Sequence, residues 1–146
     1  MEIITNRQNR TEMKKMAMTL LGGILLAGCA GQGNASQEAI LGKWNIDKAM
    51  GLSTETAETP AFINFTEEGK VNGNSSVNLF NGEYKIEDGK LEFSPLAMTR
   101  MMGRSMDVEQ AVTEALNTAH SIVADGDKAV VLNEAKDTVM VLSRQK

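Results

Sequence analysis

The segment Glu83–Phe93, with the sequence EYKIEDGKLEF, decides the fold class of this chain. Apolar and polar side chains alternate on both sides of Asp88-Gly89, and an Asp-Gly pair between two such runs is a strong signal for a tight β-hairpin. Similar runs recur on either side, with turns expected at Glu68-Gly69 and Asp125-Gly126 and a polar loop at Asn72–Asn78. The other predicted strands are Gly42–Asp47, Ala61–Thr66, Lys70–Asn72, His120–Val123, Ala129–Leu132 and Thr138–Leu142.

One amphipathic helix is predicted between these hairpins. Ser105 or Asp107 can cap its start, and Asp107 and Glu109 suit the positive end of its dipole. Its apolar residues recur at the spacing of a single helical face. They are Val108, Ala111, Val112, Ala115, Leu116 and Ala119.

These elements predict a mainly β (α+β) domain. We expect a small antiparallel β-barrel or strongly curled sheet of about seven or eight short strands, with the amphipathic helix packed against it. The aromatic residues all lie between Trp44 and Phe93, so the main core should form there. Phe62 and Phe65 have opposite parity in their strand, which predicts that one of them is less buried.

Composition excludes several classes of protein. The chain has 146 residues, one His, one Cys and a net charge of −4. A single Cys cannot form an internal disulfide, and a Cys/His zinc cluster is impossible, so no metal or cofactor is expected. Residues 1–28 carry a net charge of +2, which leaves −6 on the remainder. An acidic body of this kind argues against nucleic acid as a partner.

The first segment is predicted to be a lipoprotein signal peptide, residues 1–28. After Lys14-Lys15 comes a run of 12 mostly apolar residues, Met16–Ala27. This run is shorter than the roughly 20 residues that a membrane span requires, but it suits the apolar core of an export signal. The alternative to a signal peptide is a buried N-terminal helix that ends in an inert Cys. Translation can start at either Met1 or Met13.

Leu26-Ala27-Gly28-Cys29 resembles the lipobox of bacterial lipoproteins. The resemblance implies cleavage between Gly28 and Cys29, followed by S-diacylglycerol and N-acyl modification of Cys29. Several acyl chains make a durable membrane anchor. Ala30 lacks the acidic side chain of the inner-membrane retention signal, so we expect a location in the cell envelope, at the outer membrane and facing the periplasm. Residues 29–39 are then the lipidated Cys and a flexible tether.

Four other features admit a chemical role beside a structural one. Thioethers favour Cu(I), so Met98, Met101, Met102 and Met106 form a candidate copper site; packing is the alternative. Carboxylate pairs at Glu67-Glu68, Glu87-Asp88 and Asp125–Asp127 are candidates for a hydrolase of envelope polymer, or are simply solvated turn residues. His120 is a candidate catalytic group at a helix end. The polar side chains of Asn72–Asn78 can bind a glycan or peptide, or cap their own loop.

The order of motifs in the body resembles a known family. Asn78-x-Phe80-x-Gly82-x-Tyr84 is followed by Met98-Thr99-x-Met101, with Trp44 before this pair and Glu109 after it. This pattern is similar to the META domain, the HslJ-like family of bacterial envelope lipoproteins, and it extends over about Ile40–Arg144. The resemblance implies a small antiparallel β structure with a helix, links to stress and antibiotic tolerance, and no established enzymatic activity or cofactor. Family members commonly have Cys at two positions that are Val77 and Gly103 here.

The expected domain order is a signal peptide at 1–28, a lipidated tether at 29–39 and a META domain at 40–146. The expected function is that of a non-enzymatic outer-membrane or periplasmic lipoprotein. The protein would be held to the membrane through Cys29. At the membrane it would bind an unidentified envelope protein or ligand, or support stress tolerance. An envelope-polymer hydrolase and a Cu(I)-binding module remain the alternatives.

Overall fold

Antiparallel strands make up most of residues 35–146, the part of the chain that the computed structural model describes. The predicted signal peptide and Cys29 lie outside the described residues. The strands are β1 (Gly42–Ala49), β2 (Leu52–Ser53), β3 (Phe62–Phe65), β4 (Lys70–Asn74), β5 (Leu79–Glu87), β6 (Lys90–Phe93), β7 (Ala97–Met98), β8 (Ser121–Asp125), β9 (Lys128–Leu132) and β10 (Thr138–Arg144). The helices are α1 (Gln37–Ile40) and α2 (Met106–Thr118).

Eight of the strands close into an antiparallel barrel, which confirms the predicted fold class. Hydrogen bonding runs in the order β1-β3-β4-β5-β6-β8-β9-β10, and β10 pairs again with β1. The short strands β2 and β7 lie outside this ring and pair with β1 and β5. Closure gives each of the eight barrel strands a neighbour on both sides, although the pairing of β6 with β8 is limited to Lys90 and Ser121.

The hairpin at Asp88-Gly89 forms as predicted. Both residues have positive φ, 50° and 80°, as a type I′ turn requires. The turn predicted at Asp125-Gly126 is shifted by one residue, because Asp125 still pairs with Lys128 at the end of β8. Gly126, with φ of 61°, and Asp127 therefore form the turn.

Several strands are longer than their hydrophobic pattern indicates. The stretch Asn72–Asn78 was predicted to be a loop, but β4 continues to Asn74 and β5 begins at Leu79. Asn72 pairs with Asn81, and Asn74 pairs with Leu79. A backbone ladder needs no apolar side chain, so polar residues extend these strands wherever a partner strand is present. Only residues 75–78 remain as the loop.

The barrel interior is filled by side chains from the whole ring. Trp44, Phe65 and Phe80 are each no more than 1% exposed, and Phe65 packs edge-on against Tyr84 with ring centroids 4.9 Å apart. Phe62 faces outward and is half-buried beneath the Lys43 ammonium, as its parity predicts. Aliphatic residues of β8–β10 complete the core beyond the aromatic segment: Ile122, Ala129, Val131, Val139, Met140 and Leu142.

Helix α2 places its predicted apolar face on the core. Val108, Ala111, Val112, Ala115 and Leu116 are buried, and Ala119 is half-buried just beyond the C-terminal end. Ser105 occupies the N-cap position as predicted, but its side chain makes no capping hydrogen bond. Its hydroxyl donates instead to the carbonyl oxygen of Thr56 at 2.6 Å, and Asp107 lies exposed inside the first turn.

Residues 35–40 pack against the barrel, although most of them were predicted to belong to the tether. Ala35 and Ile40 are buried, and the indole Nε1 of Trp44 donates to the Ile40 carbonyl at 2.9 Å. The amide of Gln37 donates to the Glu67 carbonyl at 3.0 Å. Polar contacts of this kind leave no hydrophobic pattern in the sequence, so the ordered structure begins earlier than apolar periodicity suggests.

Arg144 ties this segment to the end of the chain. Its guanidinium lies 4.2 Å from the centre of the Trp44 ring. It donates to the carbonyl oxygens of Leu41 at 2.6 Å and Ala39 at 3.0 Å.

Among residues 35–146, neither helix has the length and hydropathy to cross a membrane.

Candidate functional site

The side chain of Asn78 holds the segment around Met101 against the barrel. Its Oδ1 accepts hydrogen bonds from the Met101 backbone N–H at 2.6 Å and from the Thr99 hydroxyl at 2.9 Å. Its Nδ2 donates to the Met101 carbonyl at 3.1 Å. The amide therefore pairs with both backbone groups of Met101, as a neighbouring strand would. Asn78 is only 4% exposed, so these bonds face little competition from water.

Thr99 extends the same connection to β5. Its hydroxyl accepts from the Leu79 backbone N–H at 3.0 Å, and its own N–H donates to the Leu79 carbonyl at 3.1 Å. One step along, Met98 pairs with Phe80 in the β7–β5 ladder. The two segments that carry the family resemblance, Asn78–Tyr84 and Met98–Met101, are thus brought together in one structural unit.

The remaining motif residues serve the fold. Phe80 fills the core, and Gly82 leaves room for Leu96, whose Cδ2 would lie 2.7 Å from a β-carbon at that position. The hydroxyl of Tyr84 donates to the Thr66 carbonyl at 2.7 Å and accepts from Gln37 at 3.2 Å. Burial, as the main cause, raises the pKa of Tyr84, so the phenol stays protonated and available as a donor.

Glu109 supports Asn78 from the helix side. Its carboxylate accepts hydrogen bonds from the Ser75 hydroxyl at 2.7 Å and from the backbone N–H groups of Val77 and Asn78, both at 3.0 Å. Burial by itself would raise the pKa of Glu109, but these hydrogen bonds outweigh it and lower the pKa. The carboxylate is therefore ionised at neutral pH and holds the 75–78 loop against α2.

This role of Glu109 was missed in the sequence, where the residue was assigned to the helix dipole. The helical spacing does indicate that Glu109 lies at the edge of the buried face. Glu109 directly follows the apolar residue Val108 and precedes Val112 by three positions. A carboxylate at the edge of the buried apolar face of a helix needs hydrogen-bond donors from another element of the structure. Which element supplies them depends on the tertiary fold.

Residues 99–105, here called the Met101 loop, carry exposed apolar side chains. Met101 is 58% exposed and Met102 is 84% exposed, and neighbouring Leu79 is 55% exposed. Arg100 and Arg104 are exposed on the same loop. The loop thus presents two thioethers between two arginines, of which Arg104 pairs with Glu58 at 3.6 Å, and Asn78 fixes the loop backbone at Met101.

The four methionines of the candidate copper site have different surroundings. Met101 and Met102 are turned to solvent, whereas Met98 is half-buried on β7. The sulfur of Met106 accepts a weak hydrogen bond from the Gly103 N–H at 3.4 Å. Within residues 35–146, no group of three or more His, Cys, Asp or Glu side chains is placed to hold a metal ion.

The paired carboxylates lie exposed at the tips of turns. They are Glu67, Glu68, Glu87, Asp88, Asp125 and Asp127. Glu68 borders an open depression of about 470 Å³ together with Glu83 and Glu92. Glu83 pairs with Lys70 at 3.1 Å and Glu92 with Lys90 at 3.4 Å, so two of these three carboxylates have cationic partners.

His120 links strands through its backbone. Its N–H donates to the Leu132 carbonyl and its own carbonyl accepts from the Leu91 N–H, both at 2.8 Å. These bonds bridge β6 and β9 just after α2. The position of His120 is therefore explained by strand pairing.

The polar loop is occupied by internal hydrogen bonds, which agrees with the interpretation that its side chains cap their own loop rather than bind a ligand. Asn74, Ser75, Ser76 and Asn78 are each no more than 8% exposed. Asn74 Oδ1 accepts from the Ser76 N–H at 2.7 Å, and the Ser76 hydroxyl accepts from the Glu58 N–H at 2.9 Å. Asn72 differs, since it lies half-buried on the outer face of β4.

Comparison with known proteins identifies the family. The family model described as the META domain matches residues 37–146. The chain is similar to "Heat shock protein HslJ" of Escherichia coli (strain K12), at 31% identity over 93 residues, which are 62% of this chain. That match spans 66% of the curated relative, slightly less than two thirds of its length.

Solved structures show the same fold. A protein described as "NMR structure of the protein" matches with a TM-score of 0.60 and 23% identity, covering 75% of this chain and 94% of the other. A protein from Burkholderia xenovorans also gives 0.60, with 21% identity and coverage of 75% and 86%. A duf4847 family protein from Bacteroides vulgatus ATCC 8482 gives 0.54, with 16% identity and coverage of 73% and 94%. With its family model matched over residues 37–146, the chain belongs to the META domain family.

Proposed function

We propose that this META domain protein is a non-enzymatic, lipid-anchored protein of the cell envelope that supports stress tolerance by binding a partner. The relationship to a protein named for heat shock supports the stress role. The lipobox-like sequence that ends at Cys29 supports the anchor. The partner is an envelope protein or ligand that meets the domain on its outer surface, because the barrel interior is filled by the side chains of the core.

One observation carries the binding role: the Met101 loop is rigidly held yet open to solvent. Asn78 fixes both backbone groups of Met101, while the side chains of Met101 and Met102 are more than half exposed. A surface that is ordered before it binds loses less conformational entropy on association. Methionine side chains adapt to different apolar partners, so the loop suits a protein surface with apolar and acidic groups.

Ala35 and the Met101 loop lie at opposite ends of β5. The Ala35 carbonyl accepts from the Gly89 N–H at 3.1 Å, beside the β5–β6 turn. The Met101 loop adjoins Leu79 at the other end of β5, which has 9 residues and is therefore about 30 Å long. Five residues separate Cys29 from Ala35 in the sequence. Confinement to a surface raises the effective concentration of a weak binder.

The anchor is tested by membrane fractionation and mass spectrometry of the full-length chain and of Cys29→Ser. We expect the unaltered protein in the outer-membrane fraction, with its N-terminus at Cys29 carrying acyl and diacylglycerol groups, and Cys29→Ser in a soluble or uncleaved form. An unmodified thiol on the mature protein, or an unchanged location of Cys29→Ser, would show that the anchor proposal is wrong.

The binding role is tested by a photo-crosslinking amino acid at Met102 in cells. Glu134 is exposed elsewhere on the barrel and is the control position. We expect a discrete crosslinked product from position 102 that disappears when Asn78→Ala releases the loop, and none from position 134. Equal products at both positions would contradict a role for the Met101 loop.

A further inference from the structure

Three outward-facing asparagines form a continuous row across the barrel wall. Asn64 on β3 is directly opposite Asn72 on β4, and Asn72 is directly opposite Asn81 on β5. Their chain neighbours Ile63, Val71 and Phe80 point into the core and are buried, so the three amides share the outer face. We call Asn64, Asn72 and Asn81 the amide row. Neighbouring amides in it are one strand apart, about 4.8 Å.

The amide row has hydrogen-bonding capacity that the described part of the chain leaves unused. Within residues 35–146, none of its three side chains forms a hydrogen bond with another protein group, in contrast to the buried amides of Asn74 and Asn78. Each amide offers two N–H donors and a carbonyl oxygen that can accept twice. Asn64 and Asn72 are half-buried, and Asn81 is exposed. They are therefore partly held in place, at spacings that the strands determine.

A shallow depression borders one end of the row. It has a volume of about 450 Å³ and is lined by Asn72 and Asn81, with Ser94, Pro95 and Ala97 along one side. Lys70 and Glu83 also line it, and they neutralise each other in an ion pair at 3.1 Å. The depression thus combines amides, one hydroxyl and a small apolar wall, with no net charge.

These properties favour one class of occupant. The surface has no excess of positive charge to bind a polyanion such as nucleic acid. An extended peptide normally adds to an open sheet edge, but β4 is paired on both sides and offers only its face. Hydroxyl and acetamido groups both donate and accept, so they match the free amides, and the acetamido methyl group suits the wall at Pro95 and Ala97.

We propose that the amide row binds a neutral, N-acetylated β-1,4-linked glycan strand, whose ring hydroxyl and acetamido groups exchange hydrogen bonds with the three amides. The advance per sugar in such a strand is close to the spacing between neighbouring β-strands. This inference deepens the proposed binding role and rests on the envelope location, where glycan polymers are exposed. It concerns a different surface from the Met101 loop, so each can fail separately.

The test uses the full-length lipidated protein, purified in detergent, with chitohexaose as the probe and maltohexaose as the comparison sugar. NMR of the side-chain amides should show saturable shifts at Asn64, Asn72 and Asn81 with chitohexaose and none with maltohexaose. Asn72→Ala and Asn81→Ala should each raise the Kd by about five- to tenfold, the usual net effect of losing a hydrogen bond. Asn117→Ala is the matched control, because Asn117 is an exposed amide on α2.

Three outcomes would overturn the proposal: no shift at millimolar chitohexaose, an unchanged Kd in both row variants, or an equal response to maltohexaose. Asn81 is exposed, so Asn81→Ala keeps the test valid if Asn72→Ala fails to fold. Failure of glycan binding with Cys29 lipidated and Met102 crosslinking intact would reject this inference alone. Failure of the Cys29 lipidation test and of the Met102 crosslinking test would reject the proposed function.

Discussion

Val77 and Gly103 lie in direct contact: a β-carbon built on Gly103 would be 2.8 Å from Cγ2 of Val77. These are the two positions where the family resemblance implies cysteines. The structure therefore places these two positions side by side, as a covalent pair of cysteines would require. Here the methyl groups of Val77 occupy the space that the absent side chain of residue 103 leaves free. A valine and a glycine are complementary in volume at this contact.

The double variant Val77→Cys/Gly103→Cys is expected to form a disulfide under oxidising conditions. The bond would link the 75–78 loop to the Met101 loop and restrict the unfolded chain. A stabilisation of up to about 3.5 kcal/mol is expected for a loop of this length, and strain can reduce it. Free-thiol titration and urea unfolding with and without reductant measure both effects. Two free thiols under oxidising conditions would show that the positions are misaligned.

The single variant Gly103→Ala tests the same contact between residues 77 and 103 by adding a methyl group to it. Its added methyl group would contact Val77 and also lie 2.8 Å from Oε2 of Glu58. Overpacking of this kind costs about 1–3 kcal/mol. We expect a lower urea midpoint that is largely restored by the second change Val77→Ala. Equal stability of the single variant and the unaltered protein would contradict the observed contact.

Glu109→Gln is expected to destabilise the domain at neutral pH. The neutral amide accepts more weakly than a carboxylate, and its own NH₂ group faces the donors of Ser75, Val77 and Asn78. Hydrogen bonds to a charged group contribute about 1.5–3 kcal/mol, so the loss should be about 2–3 kcal/mol. Urea unfolding at pH 7 measures it. Glu114→Gln, at an exposed position on the same helix, should be neutral.

The lowered pKa of Glu109 also predicts a pH dependence. The carboxyl binds a proton more readily in the unfolded chain, whose pKa is near the ordinary value of 4.5, than in the folded domain. Its contribution is therefore fully present above that value and is lost as the pH falls through the lower folded pKa. Unfolding free energies between pH 7 and pH 3 should decline less steeply in Glu109→Gln than in the unaltered protein. Parallel curves would show that Glu109 is not the titrating group.

Asn78→Ala is expected to release the Met101 loop while leaving the barrel closed. The substitution removes three hydrogen bonds, including both that fix Met101. A global loss of about 1–3 kcal/mol is expected because the freed backbone groups can reach water. Hydrogen exchange should accelerate at the Met101 N–H, and the amides of the β1–β10 ladder should keep their protection. Uniform acceleration throughout the barrel would mean that Asn78 is part of the global core instead.

Gly73→Ala is expected to disrupt packing within the barrel. A β-carbon at this position would lie directly against the Phe62 carbonyl and 2.5 Å from Cζ of Phe80. The backbone oxygen cannot move without breaking the β3–β4 ladder, so a loss of about 3 kcal/mol or more is expected. Thermal unfolding measures the loss. Gly51→Ala has open space around its β-carbon but a φ of +79°, so it isolates the smaller backbone cost.

Much of the fold follows from local patterns. The alternation in Glu83–Phe93, its Asp-Gly turn and the apolar stripe of α2 predict a sheet with one packed helix, and the structure confirms both. Strand ends were less predictable. Asn72, Gly73 and Asn74 have no apolar alternation, yet they belong to β4 because β3 and β5 supply backbone partners on both sides. The candidate site was predictable as two motifs, but not as a contact between them.

By itself, the amino-acid sequence determined the short-range features of this protein: turn positions, the periodicity of strands and helix, and the motifs of its family. These depend on neighbours within a few residues along the chain. Tertiary structure alone decided that β1 meets β10, that Glu109 binds the 75–78 loop, that Asn78 pairs with Met101 and that three asparagines share one face. The first three of these join residues that are distant in the chain, and such pairing becomes defined only when burial of the shared core brings the segments together. The row of asparagines depends on the register of three successive strands.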